Sequence, residues 1–530
     1  LLAEIKTLKH DFGDGRLVKS IEDVMLASIL KNYVKYDFVV ENPPYVRVHN
    51  LPEKQKEYLE ENYESAYGQY DLYVLFMERS IKWLDEGGKF GLIVSSKFTS
   101  SEYGKKLREF ILNNSKVEQI VDVSTLNVFR DASIYPFILI LQKEKERSAR
   151  DQNKIKVALR PEEIEFIDRN LKFFDIQQSR YSQNRDYLFD LLSKREHLVI
   201  QKLEKNTKRL GEIAYITRGF RPPPEDLVFE KLEAKEDSKP YIIGEDIKGP
   251  FCFLEPSRYV KYDKNRIPES KPPTVFEVPK IFVRDIGLRA SACYDISGLY
   301  CLKTIYIIEG LEHEDFSLKA LTAVLNSKIT EYFFKAKFWS SHIGGGYLRF
   351  RKQYLDLLPI PITIEKETLK ELESLVDKMM GIDEIQNKIK NFPQSYVENL
   401  AEEFTKKTIT FQSSHKEISV GIQEAIDSGY NISTGKKEEP IYVDTKEKAE
   451  YVRLALEGKS VKKGEKLEIL VPKSNSVVKE ILKDYTKDKK RLEKGKNVED
   501  LEEEINKLVY ELYGLDKKDQ KVIEEFLGKF

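Results

Sequence analysis

Tyr36-Asp37-Phe38-Val39-Val40-Glu41-Asn42-Pro43-Pro44-Tyr45 is the stretch on which the reading of this chain turns. The apolar run before Glu41 reads as a buried strand of a parallel sheet. The two prolines end that strand abruptly and fix the backbone. In open α/β sheets, ligands gather at the carboxyl ends of strands. An amide side chain, a carbonyl kept out of any ladder and an aromatic ring are therefore expected together at a ligand crevice. That set suits an exocyclic amino group on a planar ring. Asn42 Oδ1 and the Pro43 carbonyl can accept from an NH2 group, and Tyr45 can stack on the ring face. The competing reading is a plain Pro-Pro turn; the hydrophobic strand before it and the tyrosine after it weigh against that.

Downstream the α/β texture continues to about Lys143. The periodicity predicts a helix over Asp71–Glu86 with Leu72, Leu75, Phe76 and Trp83 on one face. Strands are expected at Phe90–Val94, Glu118–Val123 and Pro136–Leu141, with a helix over Gly104–Asn113. The charged run Glu144–Arg150 marks a hinge, and residues 146–205 read as a helical linker. From Leu210, short β-rich pieces alternate with Gly and Pro, as in a mainly β domain with irregular loops. From Lys366 the sequence is charged and helical, and Leu501, Ile505, Leu508, Val509 and Leu512 repeat at helical spacing. The expected units are thus 1–145, 146–205, 206–362 and 363–530.

Length and composition bound the class. The 530 residues suit about three domains. No run approaches a membrane span, and no leader is visible. Cys252, Cys293 and Cys301 have no metal-ligand spacing, so no metal site is expected and a reduced, cytoplasmic setting fits. The 88 Lys and Arg nearly cancel the 89 Asp and Glu, so any nucleic-acid binding must rest on local patches. The best such patch is Phe334–Tyr354. Lys335, Lys337, Arg349, Arg351 and Lys352 are interleaved there with Trp339, Tyr347 and other aromatics, without an acid. Cations position phosphates, while arginines and aromatics read or replace bases. The competing reading is a hairpin with core aromatics and solvated cations. Arg218 and Arg221, beside Pro222–Pro224, form a second candidate loop.

Val39–Tyr45 resembles the catalytic motif of S-adenosylmethionine-dependent amino-group methyltransferases, whose adenine-specific members carry Asn-Pro-Pro-Tyr. Tyr45-Val46-Arg47, Tyr70–Tyr73 with Phe76, Gly87-Gly88 and Ser96-Lys97-Phe98 extend the likeness to N6-adenine DNA methyltransferases of the Taq-type and type IIG restriction–modification class. Val128-Phe129 with Asp131-Ala132-Ser133 resembles a later motif of that class. Leu210–Ala214, Leu325–Lys328 and Leu357–Pro361 resemble its target-recognition domain. Glu503–Leu515 resembles its C-terminal helical signature, which would pack on that domain.

The resemblance implies a partial Rossmann-like α/β methyltransferase domain, a mainly β target-recognition domain and a helical C-terminal region. It implies methyl transfer from S-adenosyl-L-methionine to adenine N6 in double-stranded DNA, with base flipping. Asn42, Pro43, Pro44 and Tyr45 would form the catalytic set, and Tyr45 and Phe129 would hold the flipped base. Asn42, Phe76 and Asp23 would contact the donor; Phe76 reads equally as core and Asp23 as a helix-start acid. The family's donor fingerprint lies upstream of the motif, and the residues before Asn42 contain no strand–Gly-x-Gly–helix unit. The expectation is therefore an N-terminally truncated fragment, with any nuclease in the missing part or on a separate restriction subunit. The alternatives are a DNA specificity module without its own catalysis, or an RNA or protein-glutamine methyltransferase; the long recognition domain weighs against the last two.

Overall fold

A computed structural model describes residues 6–7, 10–11, 16–124, 126, 128, 135–159, 171–230, 237–256, 258–313, 315–339, 342–343, 346–398, 400, 402–426, 428–435, 437–495 and 497–530. The first unit is built from α1 (Arg16–Asn32), β1 (Tyr36–Glu41), α2 (Glu53–Asn62), α3 (Tyr73–Trp83), β2 (Leu84–Ser95), α4 (Lys105–Asn114), β3 (Ser115–Asp122), β4 (Pro136–Lys143), β5 (Lys154–Leu159) and β6 (Phe174–Gln177). The six strands form one mixed sheet in the order β1-β2-β4-β3-β5-β6. The β1–β2 and β3–β5 pairs are parallel and the others antiparallel.

Apolar positions explain the packing. Tyr73, Val74, Met77 and Ile81 on α3, with Leu107 and Ile111 on α4, pack on Phe90, Leu92, Val94, Leu139 and Leu141 of the sheet. Gly87 has φ +80°, and a Cβ on Gly88 would lie 2.9 Å from the Tyr36 carbonyl. The glycine pair therefore lies inside β2, where the β1–β2 register shifts between Tyr36↔Leu84 and Phe38↔Lys89, instead of ending the helix, which stops at Trp83. Arg108 is buried and ties a loop down. Its Nη1 donates to Phe98 O at 2.5 Å and Ser101 O at 2.8 Å, and Nε and Nη2 donate to Asp186 O. Burial pushes its pKa down to about 10.

Three expectations are corrected here. β1 pairs in parallel as expected, yet it is not buried. It is one of the two edge strands of the sheet among the described residues, and Phe38 and Val40 are 72% and 84% exposed. Residues 146–205 are not a helical linker: β5 and β6 lengthen the sheet, and among the described residues of this range only Lys194–Glu204 forms a long helix. The alternation in Ile155, Val157 and Ile176, all buried, carries those short strands. The region 363–530 is not helical throughout. Phe404–Thr410 and Lys466–Pro472 pair antiparallel, and Gly421–Glu424, Tyr430–Ser433 and Ile441–Val443 form a second small sheet. These strands, with helices Lys446–Leu456 and Asn475–Lys494, enclose a core of their own.

The recognition-type segment is mainly β. Ala292–Asp295, Lys280–Arg284, Ile305–Glu309 and Tyr215–Arg218 form one four-stranded antiparallel sheet. A second four-stranded sheet contains Ser238–Ile242 and Arg258–Lys261. Helices α5 (Leu318–Asn326) and α6 (Lys328–Phe338) share a core with the first sheet and with helices Lys366–Lys390, Val498–Leu512 and Lys517–Leu527. Asn326 exchanges two 2.8 Å hydrogen bonds with the Ala292 backbone, and Ser327 caps α6. The Leu-Asn-Ser-Lys motif thus joins strand to helix. The C-terminal signature packs where expected: Asn506 Oδ1 accepts from Lys328 N, and the Tyr513 hydroxyl donates to Pro359 O at 2.6 Å.

Cys252 and Cys293 are buried with their sulfurs 2.8 Å apart. Among the described residues no group of three or more His, Cys, Asp or Glu is placed to hold a metal ion, and no helix is long and apolar enough to cross a membrane.

Candidate functional site

The end of β1 delivers Asn42 to the surface while Pro43 is buried and Tyr45 half-buried. The segment is fixed by short bonds: Leu72 N donates to Val46 O at 2.8 Å and Val48 N to Tyr70 O at 2.9 Å. The Tyr45 hydroxyl donates to Ile93 O at 3.0 Å and lies 3.4 Å from Asn42 Oδ1. Its ring sits beside Tyr73, centroids 6.0 Å apart. Burial pushes the Tyr45 pKa up to about 12, so the phenol stays a neutral donor. No described group donates to the Pro43 carbonyl, and Asn42 Oδ1 has room for a further donor. Asn42 Oδ1 is therefore an acceptor with spare capacity at the exposed strand end, and the Pro43 carbonyl belongs to the buried residue that follows it.

Glu41, which sequence reasoning passed over, closes the strand below Asn42. Burial raises its pKa, and the Ser80 hydroxyl bond to Oε1 opposes that rise. Behind α3, buried Glu78 takes Ser65 N at 2.8 Å, Ser65 Oγ at 2.6 Å and Lys82 Nζ at 2.5 Å. It holds the loop before α3, and hence Tyr70–Leu72, in place.

Phe76 is one helical turn from Leu72 and 41% exposed. It lines a cavity of about 720 Å³ between α1, α2 and α3, with Leu30, Tyr36, Tyr58, Leu72 and Trp83. These residues fit a planar aromatic ring such as the adenine of a methyl donor. Asp23 is exposed on α1 and does not line that cavity. Phe129, expected over the target base, lies outside the described residues, as do Asp131–Ser133.

The candidate cations divide. Lys335 is buried on α6 and paired with Glu331 at 2.7 Å; Lys337 is paired with Glu204 at 3.2 Å. Neither belongs to an open basic surface, because α6 is a core helix. Trp339 stacks on His342, centroids 4.3 Å apart, and packs against Phe530. Lys352 is paired with Asp356 and Arg221 with Glu269. Arg218, Tyr347 and Arg351 are exposed, and Arg349 is half-buried in a ribbon with Ile286. Gly344 and Gly345 lie outside the described residues.

Comparison with known proteins follows the same division. Residues 4–129 match the Eco57I restriction-modification methylase family, and residues 239–360 match the TaqI-like C-terminal specificity domain. The chain carries an Eco57I-type methylase segment and a TaqI-like specificity domain. Type II methyltransferase M.BstVI of Geobacillus stearothermophilus is 41% identical over 110 residues, which are 21% of this chain and 20% of that protein. Type II methyltransferase M.PaeR7I of Pseudomonas aeruginosa is 25% identical over 388 residues, 62% of this chain and 65% of that protein. The chain thus spans from a fifth to about two thirds of these relatives. The Type IIL restriction-modification enzyme MmeI, solved in complex with DNA, aligns with a TM-score of 0.42 at 12% identity, over 67% of this chain and 50% of that one. The Eco57I-type match contains Asn42–Tyr45, and the TaqI-like match contains Arg349 and Arg351.

Proposed function

We propose that the chain is the catalytic and recognition part of a site-specific DNA methyltransferase of a restriction–modification system, acting on adenine N6 in duplex DNA. The observation that carries this reading is the exposed Asn42 amide at the end of β1, its Oδ1 3.4 Å from a Tyr45 hydroxyl anchored on Ile93 O; the Pro43 carbonyl would be the second acceptor. The N6 lone pair of adenine is delocalised into the ring, which makes the amine a weak nucleophile. Acceptors on both N–H bonds localise it and stabilise the charge that develops. Asn42 is not a base: the two acceptors would hold the N–H bonds while the cationic methylated amine forms and the donor leaves as its neutral thioether, and that amine, now acidic, would then release one proton to solvent. Bound S-adenosylmethionine would supply an electrophilic methyl group. Phe76 would wall its adenine, and Asn42 would stand between donor and base. The target base must leave the helix to reach Asn42, and Tyr45 would stack on it, with Phe129 as its partner. Exposed Arg218, Tyr347 and Arg351, with half-buried Arg349, would face the duplex.

The test is methyl transfer from labelled donor to duplex DNA by the purified protein and by its Asn42→Ala variant. Transfer by the first and not the second supports the reading; equal transfer by both refutes it. A second reading, a specificity module without its own chemistry, is favoured by one observation: Asp23 stands outside the Phe76 cavity, so the described residues supply an aromatic wall and no carboxylate for a donor. Duplex binding without measurable donor binding would select it.

A further inference from the structure

We propose that Arg47, Lys97, Arg349 and Arg351 form one phosphate clamp, assembled from both domains, that grips the DNA backbone beside the target nucleotide. The inference rests on the reading of the chain as a DNA methyltransferase and adds to it a site split across the domain boundary.

The geometry brings the four together. Arg47 follows Tyr45 by two residues and is held in a bridge to Asp71. Lys97 lies in the turn that leaves β2, capped by Ser95. The amide of Ser96, its neighbour, donates to Tyr135 O at 2.8 Å, and the Tyr135 ring rests on His342 with centroids 3.6 Å apart. Ile343 N donates to Tyr347 O at 2.8 Å, which turns the chain back into the ribbon carrying Arg349. Phe350 N donates to Asp285 O at 2.8 Å and fixes the backbone between the two arginines. The specificity segment is thereby docked against the loop that follows the catalytic strand pair.

The electrostatics agree. Lys97 is half-buried, and burial lowers its pKa first; Arg47, Arg349 and Arg351 lower it further, and Asp71 opposes them. Asp71 is in turn raised by burial and lowered by Lys97, Arg47, the Tyr103 hydroxyl and His49. Among the described residues no carboxylate lies within 4.0 Å of any of the four cations. Elsewhere the cations of the same stretch are neutralised, as Lys335, Lys337 and Lys352 are. Lys97 thus has three guanidinium groups and one carboxylate as charged neighbours, and the like charges repel one another unless an anion enters. A backbone phosphate is that anion, because Arg47 follows the Asn42–Tyr45 segment by two residues and arginine forks match phosphate oxygens. Contacts of this kind set register and orientation, so the clamp would fix where the flipped nucleotide leaves the helix.

The experiment measures binding of the purified protein to a fluorescein-labelled mixed-sequence duplex by anisotropy, between about 50 and 200 mM salt, where each phosphate contact contributes roughly 0.9 to the log–log slope. Arg47→Gln with Lys97→Gln should lower the slope by roughly two, and Arg349→Gln with Arg351→Gln by the same amount. Lys97→Arg should keep the wild-type slope, and thermal melts identify any variant that has lost its fold. Arg47 and Arg351 are exposed, so their single Gln variants should each lower the slope by about one without disturbing the fold. Unchanged slopes in folded variants, with tight binding by the wild type, overturn the clamp and leave the methyltransferase reading standing. A drop of the same size in Lys337→Gln, whose cation is already paired, would also overturn it. Absence of duplex binding by the wild type overturns both.

Discussion

Asn42→Ala separates chemistry from folding and from DNA binding. The side chain is exposed, so its removal leaves no cavity. The Tyr45 hydroxyl keeps its 3.0 Å bond to Ile93 O, so no buried donor is orphaned. Stability should change by no more than about 0.5 kcal/mol, as at other surface positions. One of the two acceptors aimed at the amino group is lost, however, and deleting one such preorganised partner costs about 2–4 kcal/mol of transition-state stabilisation. At 1.36 kcal/mol per decade that is a loss of roughly 30- to 900-fold in single-turnover methyl transfer. The assay is incorporation of tritiated methyl groups into duplex DNA with enzyme in excess, alongside anisotropy for binding and a thermal melt. Near wild-type turnover would refute the role of Asn42. So would a loss matched by an equal loss of binding or fold, because the residue would then be structural.

Three further outcomes are expected. Glu41→Gln should stabilise the protein near neutral pH. Its folded pKa is raised mainly by burial, so its favourable contribution is complete on the acid side of its unfolded pKa and is lost as pH rises through the folded value; melts of both proteins across pH should converge in acid. Lys280 and Asp295 form a buried pair at 2.5 Å, so Asp295→Ala alone should cost about 3–5 kcal/mol, and replacing both with apolar residues should recover much of it, read from urea unfolding. Trp339→Ala should lower stability by about 3 kcal/mol through lost packing on His342 and Phe530 while changing duplex affinity little; the reverse pattern would make Trp339 a DNA contact.

The strand and its end at the prolines were legible because that information is local: an apolar run and two prolines fix the backbone within ten residues. The C-terminal helix was legible for the same reason, since Leu501, Ile505 and Val509 share one face and are buried. The exposure of β1 was not legible, because burial depends on which strands lie beside it and not on its own apolar content. The strands Lys154–Leu159 and Phe174–Gln177 were hidden by their short length and their charges. Lys335 and Lys337 were misread because cation density says nothing about which helix face is buried; their partners Glu331 and Glu204 emerge only in the fold. The convergence of Arg47 and Lys97 on Arg349 and Arg351 is tertiary and left no sequence signal.

The central claim is that Asn42 and Pro43 activate an adenine amino group, and nucleoside mass spectrometry of duplex DNA incubated with the protein and S-adenosylmethionine tests it most directly. The account predicts N6-methyldeoxyadenosine with the wild type, formed at a rate roughly 30- to 900-fold lower with Asn42→Ala. Methylated deoxycytidine in its place, or N6-methyldeoxyadenosine made equally well by the variant, would contradict it.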